Sequence, residues 1–143
     1  MSDKYRLAFI GLGVMGYPMA GWLSRNGYHV TVYNRTSAVA QLWVGDYVGE
    51  IAKSPAEAAR NADITMLCVG NDDDVTEVMM SKQGILAGVK SGSIIVDHTT
   101  TSAELAKRLG TEAEKAGASF VDAPVSGGQQ GCRECSANGN VWW

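Results

Sequence analysis

One stretch near the start, YRLAFIGLGVMGYPMA (5–20), constrains this chain more than any other. A short apolar run with the character of a buried strand passes directly into Gly11-Leu12-Gly13-Val14-Met15-Gly16. That loop passes directly into a segment with Met15, Met19, Ala20 and Leu23 on one helical face. The spacing G-x-G-x-x-G says little alone and gains meaning between a strand and a helix. Gly11 permits the tight turn, Gly13 lets the backbone approach a ligand with no Cβ between them, and Gly16 allows close packing of helix on strand. The amides and dipole at the helix start then face an anion. The pattern predicts that residues 11–16 hold the pyrophosphate of a dinucleotide.

The rest of the chain repeats the alternation. Apolar runs recur at HVTVYN (29–34), GEIA (49–52), ITMLCV (64–69), SIIVD (93–97) and SFVDA (119–123). Helical signals lie between them. The first helix stops at Asn26-Gly27. Ser54-Pro55 opens the third crossover with Glu57 close behind. The segment 102–117 begins on a capping Ser102, carries a stripe of Leu105, Leu109 and Ala113, and ends on Gly117. Short buried strands alternating with helices predict an α/β fold, a doubly wound parallel sheet of Rossmann type in a single domain. Its ligand should lie at the carboxyl ends of the strands.

Composition narrows the function. At 143 residues the chain suits one domain, and 45% hydrophobic against 19% charged residues fits a folded protein. A net charge of −3 gives no nucleic-acid footprint, so an anion site must be built locally. Lys4 and Arg6 before LAFIGLGVMG imitate an export signal, but the apolar run is too short to span a bilayer and reads better as strand-turn-helix. We therefore expect a cytoplasmic protein with no membrane partner. Of the three cysteines, Cys68 reads as a buried small hydrophobe. Cys132 and Cys135 form a C-x-x-C without the second ligand pair or thioredoxin-like setting that would make it a metal or redox site.

The end of the second strand bears on the cofactor. An NAD-specific site places Asp or Glu there for the ribose 2′-hydroxyl. Here Asn34, Arg35 and Thr36 follow Tyr33. Asn34 lacks the charge that would repel a 2′-phosphate, Arg35 offers a planar donor that can pair with it, and Thr36 adds a hydroxyl. The expectation is NADP(H), with NAD(H) possible. Two more loops end strands on the same edge. Val69-Gly70 leads into Asp72–Asp74, which suits a helix N-terminus better than a metal. DHTTTS (97–102) carries hydroxyls that could reach a nicotinamide amide or cap the next helix. His98 within it reads equally as a turn residue or as a catalytic one, with no partner evident in the sequence.

Four segments in order, IGLGVMGYPMAGWLSRNGYHVTVYNRT, SPAEAARNADITMLCV, IIVDHTTTS and FVDAPVSGG, resemble the β-hydroxyacid dehydrogenases. That group includes 3-hydroxyisobutyrate dehydrogenase and the glyoxylate, succinic semialdehyde and tartronate semialdehyde reductases. The resemblance covers residues 5–131. It implies that residues 11–16 and 34–36 hold the cofactor, with Thr100 beside the nicotinamide. It further implies that Ser126 and the amides of Gly127 and Gly128 cradle a substrate carboxylate. Trp22 departs from the family, which has Asn there. The family also uses a lysine on a helix after the substrate motif as proton donor, followed by an all-helical domain. The 143 residues do not reach that lysine, and Lys107 and Lys115 lie on the helix expected to cover the sheet. The resemblance therefore implies no catalytic residue in this chain. The DAPVSGG motif argues against the alternative, a relative of 6-phosphogluconate dehydrogenase or of imine reductases.

The last residues, CRECSANGNVWW (132–143), follow neither a helical nor a strand period. With suitable codons, deleting one base at Gly131 regroups them to GAENAVLTVMCGG, the family's own continuation. We therefore expect a dinucleotide-binding domain over 1–131 and a frame-shifted tail over 132–143, together a binding module without turnover.

Overall fold

The computed structural model describes residues 5–125. Six strands, β1 (Arg6–Ile10), β2 (His29–Tyr33), β3 (Glu50–Ile51), β4 (Ile64–Leu67), β5 (Ile94–Asp97) and β6 (Ser119–Asp122), form one parallel sheet in the order β3-β2-β1-β4-β5-β6. The helices are α1 (Gly16–Arg25), α2 (Ser37–Asp46), α3 (Pro55–Arg60), α4 (Asp72–Met80), α5 (Ile85–Gly88) and α6 (Ala103–Lys115). The order reverses between β1 and β4, which opens a crevice at their carboxyl ends. The doubly wound parallel sheet expected from the alternation is the fold observed.

Alternation along β1 sorts the core into two layers. Leu7 and Phe9 pack with Val30, Val32, Met66 and Val96 beneath Met19, Ala20 and Leu23 of α1 and Ala40 and Trp43 of α2. Ala8 and Ile10 pack on the other face with Leu67 and Ile95, beneath side chains of α3 to α6 that include Val75, Met79, Ile85 and Leu109. Burial on both faces is why the central strands β1 and β4 are largely apolar, whereas the edge strands β3 and β6 are exposed and carry polar residues.

The predicted helix ends have their physical causes in place. Gly27 adopts φ +88° after α1, and Gly117 adopts φ +82° after α6. The hydroxyls of Ser54 and Ser102 accept from the amides of Glu57 and Leu105, at 3.1 and 3.2 Å. The Asn71 side chain accepts from Asp74 at 2.9 Å, so the acidic run 72–74 is the first turn of α4. Among the described residues no helix is long and apolar enough to cross a membrane. Two expectations need correction. The fourth strand ends at Leu67 rather than at residue 69, and Cys68 is half-buried rather than fully buried, because the chain leaves the sheet there to form the crevice wall. The short α5 has too few residues to show a helical period.

Candidate dinucleotide site

A cleft of about 370 Å³ lies over the carboxyl ends of β1, β2 and β4, within the range typical of ligand pockets. Gly11, Gly13, Val14, Met15 and Gly16 line it from the loop, Asn34, Arg35 and Thr36 from the end of β2, and Val69 and Gly70 from the end of β4. Asp74, Glu77 and Val78 of α4 complete the wall.

The three glycines do different work. Gly11 has φ +97°, and a Cβ there would lie 2.3 Å from the carbonyl oxygen of Cys68. A Cβ on Gly16 would lie 1.9 Å from the carbonyl oxygen of Gly11. These two positions hold β1, β4 and α1 together. A Cβ on Gly13 would meet no protein atom within 4 Å, so its bareness serves whatever enters the cleft. Helix α1, like α2 and α5, has no side-chain cap at its N-terminus, whereas α3, α4 and α6 are capped by Ser54, Asn71 and Ser102. Within the first turn of α1 the Tyr17 amide already donates to the Gly13 carbonyl at 3.0 Å and Pro18 has no N–H, so what faces the open side of Gly13 is the positive end of the helix dipole.

Asn34 has a role that its place after Tyr33 did not disclose. Its Oδ1 accepts from the Leu12 amide at 2.9 Å, and its Nδ2 donates to the Thr36 carbonyl at 3.0 Å. The side chain ties the glycine loop to the end of β2, and an aspartate could make only the first bond. Leu12, included with the loop as cofactor-binding, is absent from the cleft wall: its side chain is buried in the α1-side core. Arg35 is exposed on the cleft wall, its guanidinium 3.7 Å from both Asp74 and Glu77.

The loop after β5 is organised by a buried carboxylate. Asp97 accepts from the Thr99 amide at 2.9 Å and from the Thr101 hydroxyl at 2.7 Å. Burial raises its pKa, opposed by these hydrogen bonds and reinforced by Asp122. Thr99 in turn accepts from the Val69 amide at 3.0 Å, fixing the β4 end of the cleft. Thr100 is exposed between them and does not line the cleft. His98, for which the sequence offered no partner, is buried, with Nδ1 2.8 Å from the Ala123 carbonyl oxygen. Burial lowers its pKa, partly offset by that contact. Ser126, Gly127, Gly128, Cys132 and Cys135 lie outside the described residues. Among the described residues no cluster of His, Cys, Asp or Glu could hold a metal ion.

Known proteins match this arrangement. Residues 6–138 match the family described as the NAD binding domain of 6-phosphogluconate dehydrogenase. An uncharacterized oxidoreductase of Shewanella frigidimarina is 52% identical over 126 residues, covering 88% of this chain and 43% of that protein. Mitochondrial 3-hydroxyisobutyrate dehydrogenase of Mus musculus is 41% identical over 129 residues, covering 90% and 38%. The structure of Psf3 in complex with NADP+ and 2-OPP superposes with a TM-score of 0.87 at 28% identity, covering 93% of this chain and 47% of that one. The chain thus spans less than half the length of each of these relatives. With a glycine loop shaped for phosphates, a cleft at the sheet's switch point and a family match along nearly its whole length, the chain belongs to the family of the NAD binding domain of 6-phosphogluconate dehydrogenase and is a nicotinamide-dinucleotide-binding domain.

Proposed function

We propose that this domain prefers NADP(H) and serves an enzyme that moves a hydride between that cofactor and a small β-hydroxy acid or semialdehyde acid. The observation that carries the cofactor preference is Arg35 on the cleft wall, with an amide rather than a carboxylate beside it at the end of β2. A guanidinium can pair with a 2′-phosphate in two parallel hydrogen bonds, and a neutral Asn34 does not oppose it. The cleft also fits the remainder of the molecule. The open face of Gly13 leaves room for a pyrophosphate, and the positive end of the α1 dipole favours its charge there. When bound, the cofactor supplies or accepts the hydride. The protein's own residues hold and orient it, with Val69 and Gly70 lining the β4 side.

The substrate reading rests on the similarity to 3-hydroxyisobutyrate dehydrogenase and on the DAPVSGG motif. In it Ser126 and the amides of Gly127 and Gly128 would receive a carboxylate, and Thr100 would lie near the nicotinamide. The proton donor and much of the substrate selectivity would come from the half of the relatives that this chain does not span. Residues 132–143 read as a frame-shifted tail to the dinucleotide-binding domain. A chain with no disulfide framework suits the cytoplasm.

Thermal unfolding of the purified chain with saturating NADP+ and with NAD+ tests the preference, and equal stabilisation by the two overturns it.

A further inference from the structure

Arg35 does not project freely from its loop. Its guanidinium lies 3.7 Å from Asp74 Oδ1 and 3.7 Å from Glu77 Oε2, two carboxylates one turn apart on α4. All three residues line the same cleft. Asp74 is seated deeply for a charged residue, with 28% of its side chain exposed, against 62% for Glu77 and 74% for Arg35. The missing side chain of Gly70 admits it: a Cβ there would come 2.6 Å from Asp74 Oδ2. The carboxylate facing Arg35 is therefore placed by packing against the backbone.

We propose that Asp74 and Glu77 determine cofactor specificity by competing with the 2′-phosphate for Arg35. The inference rests on the reading of Arg35 as the 2′-phosphate partner. A dianionic phosphate entering this end of the cleft gains the guanidinium only by drawing it from two carboxylates, and it meets their charge as it arrives. A 2′-hydroxyl carries no charge and meets neither cost. The pair thus lowers the preference for NADP(H) below what Arg35 would confer alone, and leaves NAD(H) a usable cofactor. Each pair is solvent-exposed, so each acts modestly and is screened by salt.

The test is titration of the 143-residue chain with NADP+ and NAD+ by calorimetry at low and high salt. The variants are Glu77→Gln, Asp74→Asn with Glu77→Gln, Arg35→Met, and Arg35→Met with Glu77→Gln. Glu77→Gln is expected to raise the ratio of NADP+ to NAD+ affinity about threefold at low salt, and the double carboxylate variant about tenfold, with both gains shrinking at high salt. In the Arg35→Met background Glu77→Gln should give a clearly smaller gain. If Arg35→Met lowers the ratio but removing the carboxylates leaves it unchanged, or weakens both cofactors equally, the competition is refuted and Arg35 keeps its role. If Arg35→Met leaves the ratio unchanged, the 2′-phosphate reading fails and this inference with it. Unfolding curves without cofactor show whether each variant is folded; substitutions at the exposed Arg35 and Glu77 shift stability only slightly.

Discussion

Replacing Gly13 and Gly16 by alanine, one at a time, separates the loop's two tasks. At Gly16 the new Cβ would stand 1.9 Å from the Gly11 carbonyl oxygen and 3.0 Å from its carbon, and 3.1 Å from Phe9 Cε1. The first contact is about 1.5 Å inside the 3.4 Å at which ordinary contact begins, and backbone must yield to relieve it. Gly11 has little room to shift, because its left-handed φ of +97° closes the turn and its amide is held to the Tyr33 carbonyl at 2.9 Å. Overpacking of this kind costs roughly 1–3 kcal/mol, and a clash between two backbone segments belongs at the upper end. For a domain of this size about 3 kcal/mol lowers the melting temperature by roughly 10 °C. At Gly13 the Cβ meets nothing, and φ is not in the left-handed region. Alanine there removes freedom from the unfolded chain and should stabilise by about 0.4–1 kcal/mol, a rise of a few degrees. The same methyl group projects into the cleft and should weaken dinucleotide binding at least tenfold, or about 1.4 kcal/mol. Thermal unfolding without cofactor and a fluorescence titration with NADPH read the two effects separately. A Gly13→Ala protein that binds like the parent would refute the placement of the pyrophosphate, and a Gly16→Ala protein as stable as the parent would refute the packing argument.

Thr99→Val keeps the shape but strands the Val69 amide, so unfolding stability should fall by about 1–3 kcal/mol, and cofactor affinity should drop with it because Val69 lines the cleft. His98 is held below its ordinary value of 6.5 by burial, so the unfolded chain takes up a proton that the folded one refuses as pH falls below 6.5. Its contribution to stability is complete above 6.5 and declines at lower pH, by up to about 1.4 kcal/mol per unit, until the folded pKa is reached. Denaturant unfolding from pH 7.5 to 5 should show that decline, and His98→Asn should flatten it; an unchanged slope would count against the buried imidazole as its source. Leu109→Ala empties a fully buried site between α6 and the sheet and should cost about 2–5 kcal/mol by chemical denaturation without changing the ratio of the two cofactor affinities.

What could be read from the sequence depended on how far apart the interacting parts lie in the chain. Strands and helix ends were legible because their causes are local: buried apolar runs, Ser54 and Ser102 three residues before the amides they cap, Gly27 and Gly117 at left-handed positions. The glycine loop was legible for the same reason. The second task of Asn34 was not, since its partner Leu12 lies 22 positions away. The pairing of Arg35 with Asp74 and Glu77 joins β2 to α4 and exists only once β1 and β4 are neighbours. His98 showed no partner in the sequence because the Ala123 carbonyl that receives it lies 25 positions downstream. Cys68 was misjudged because the apolar run ITMLCV gives no sign of where the chain leaves the sheet.

The strand order has a consequence for the growing polypeptide. All three strands on one side of the switch, β3, β2 and β1, lie before residue 52, together with α1 and α2. This half can begin to assemble while the remainder is still being synthesised. During that interval the outer edge of β1, from Leu7 to Ile10, has no neighbour, because its partner runs from Ile64 to Leu67. An unpaired apolar edge is a point at which nascent chains can mispair. The dinucleotide cleft straddles this seam, so it comes into being only as the later half docks. A bound cofactor then favours the joined state over the separated one, and the seam most exposed during synthesis becomes the one that ligand holds shut.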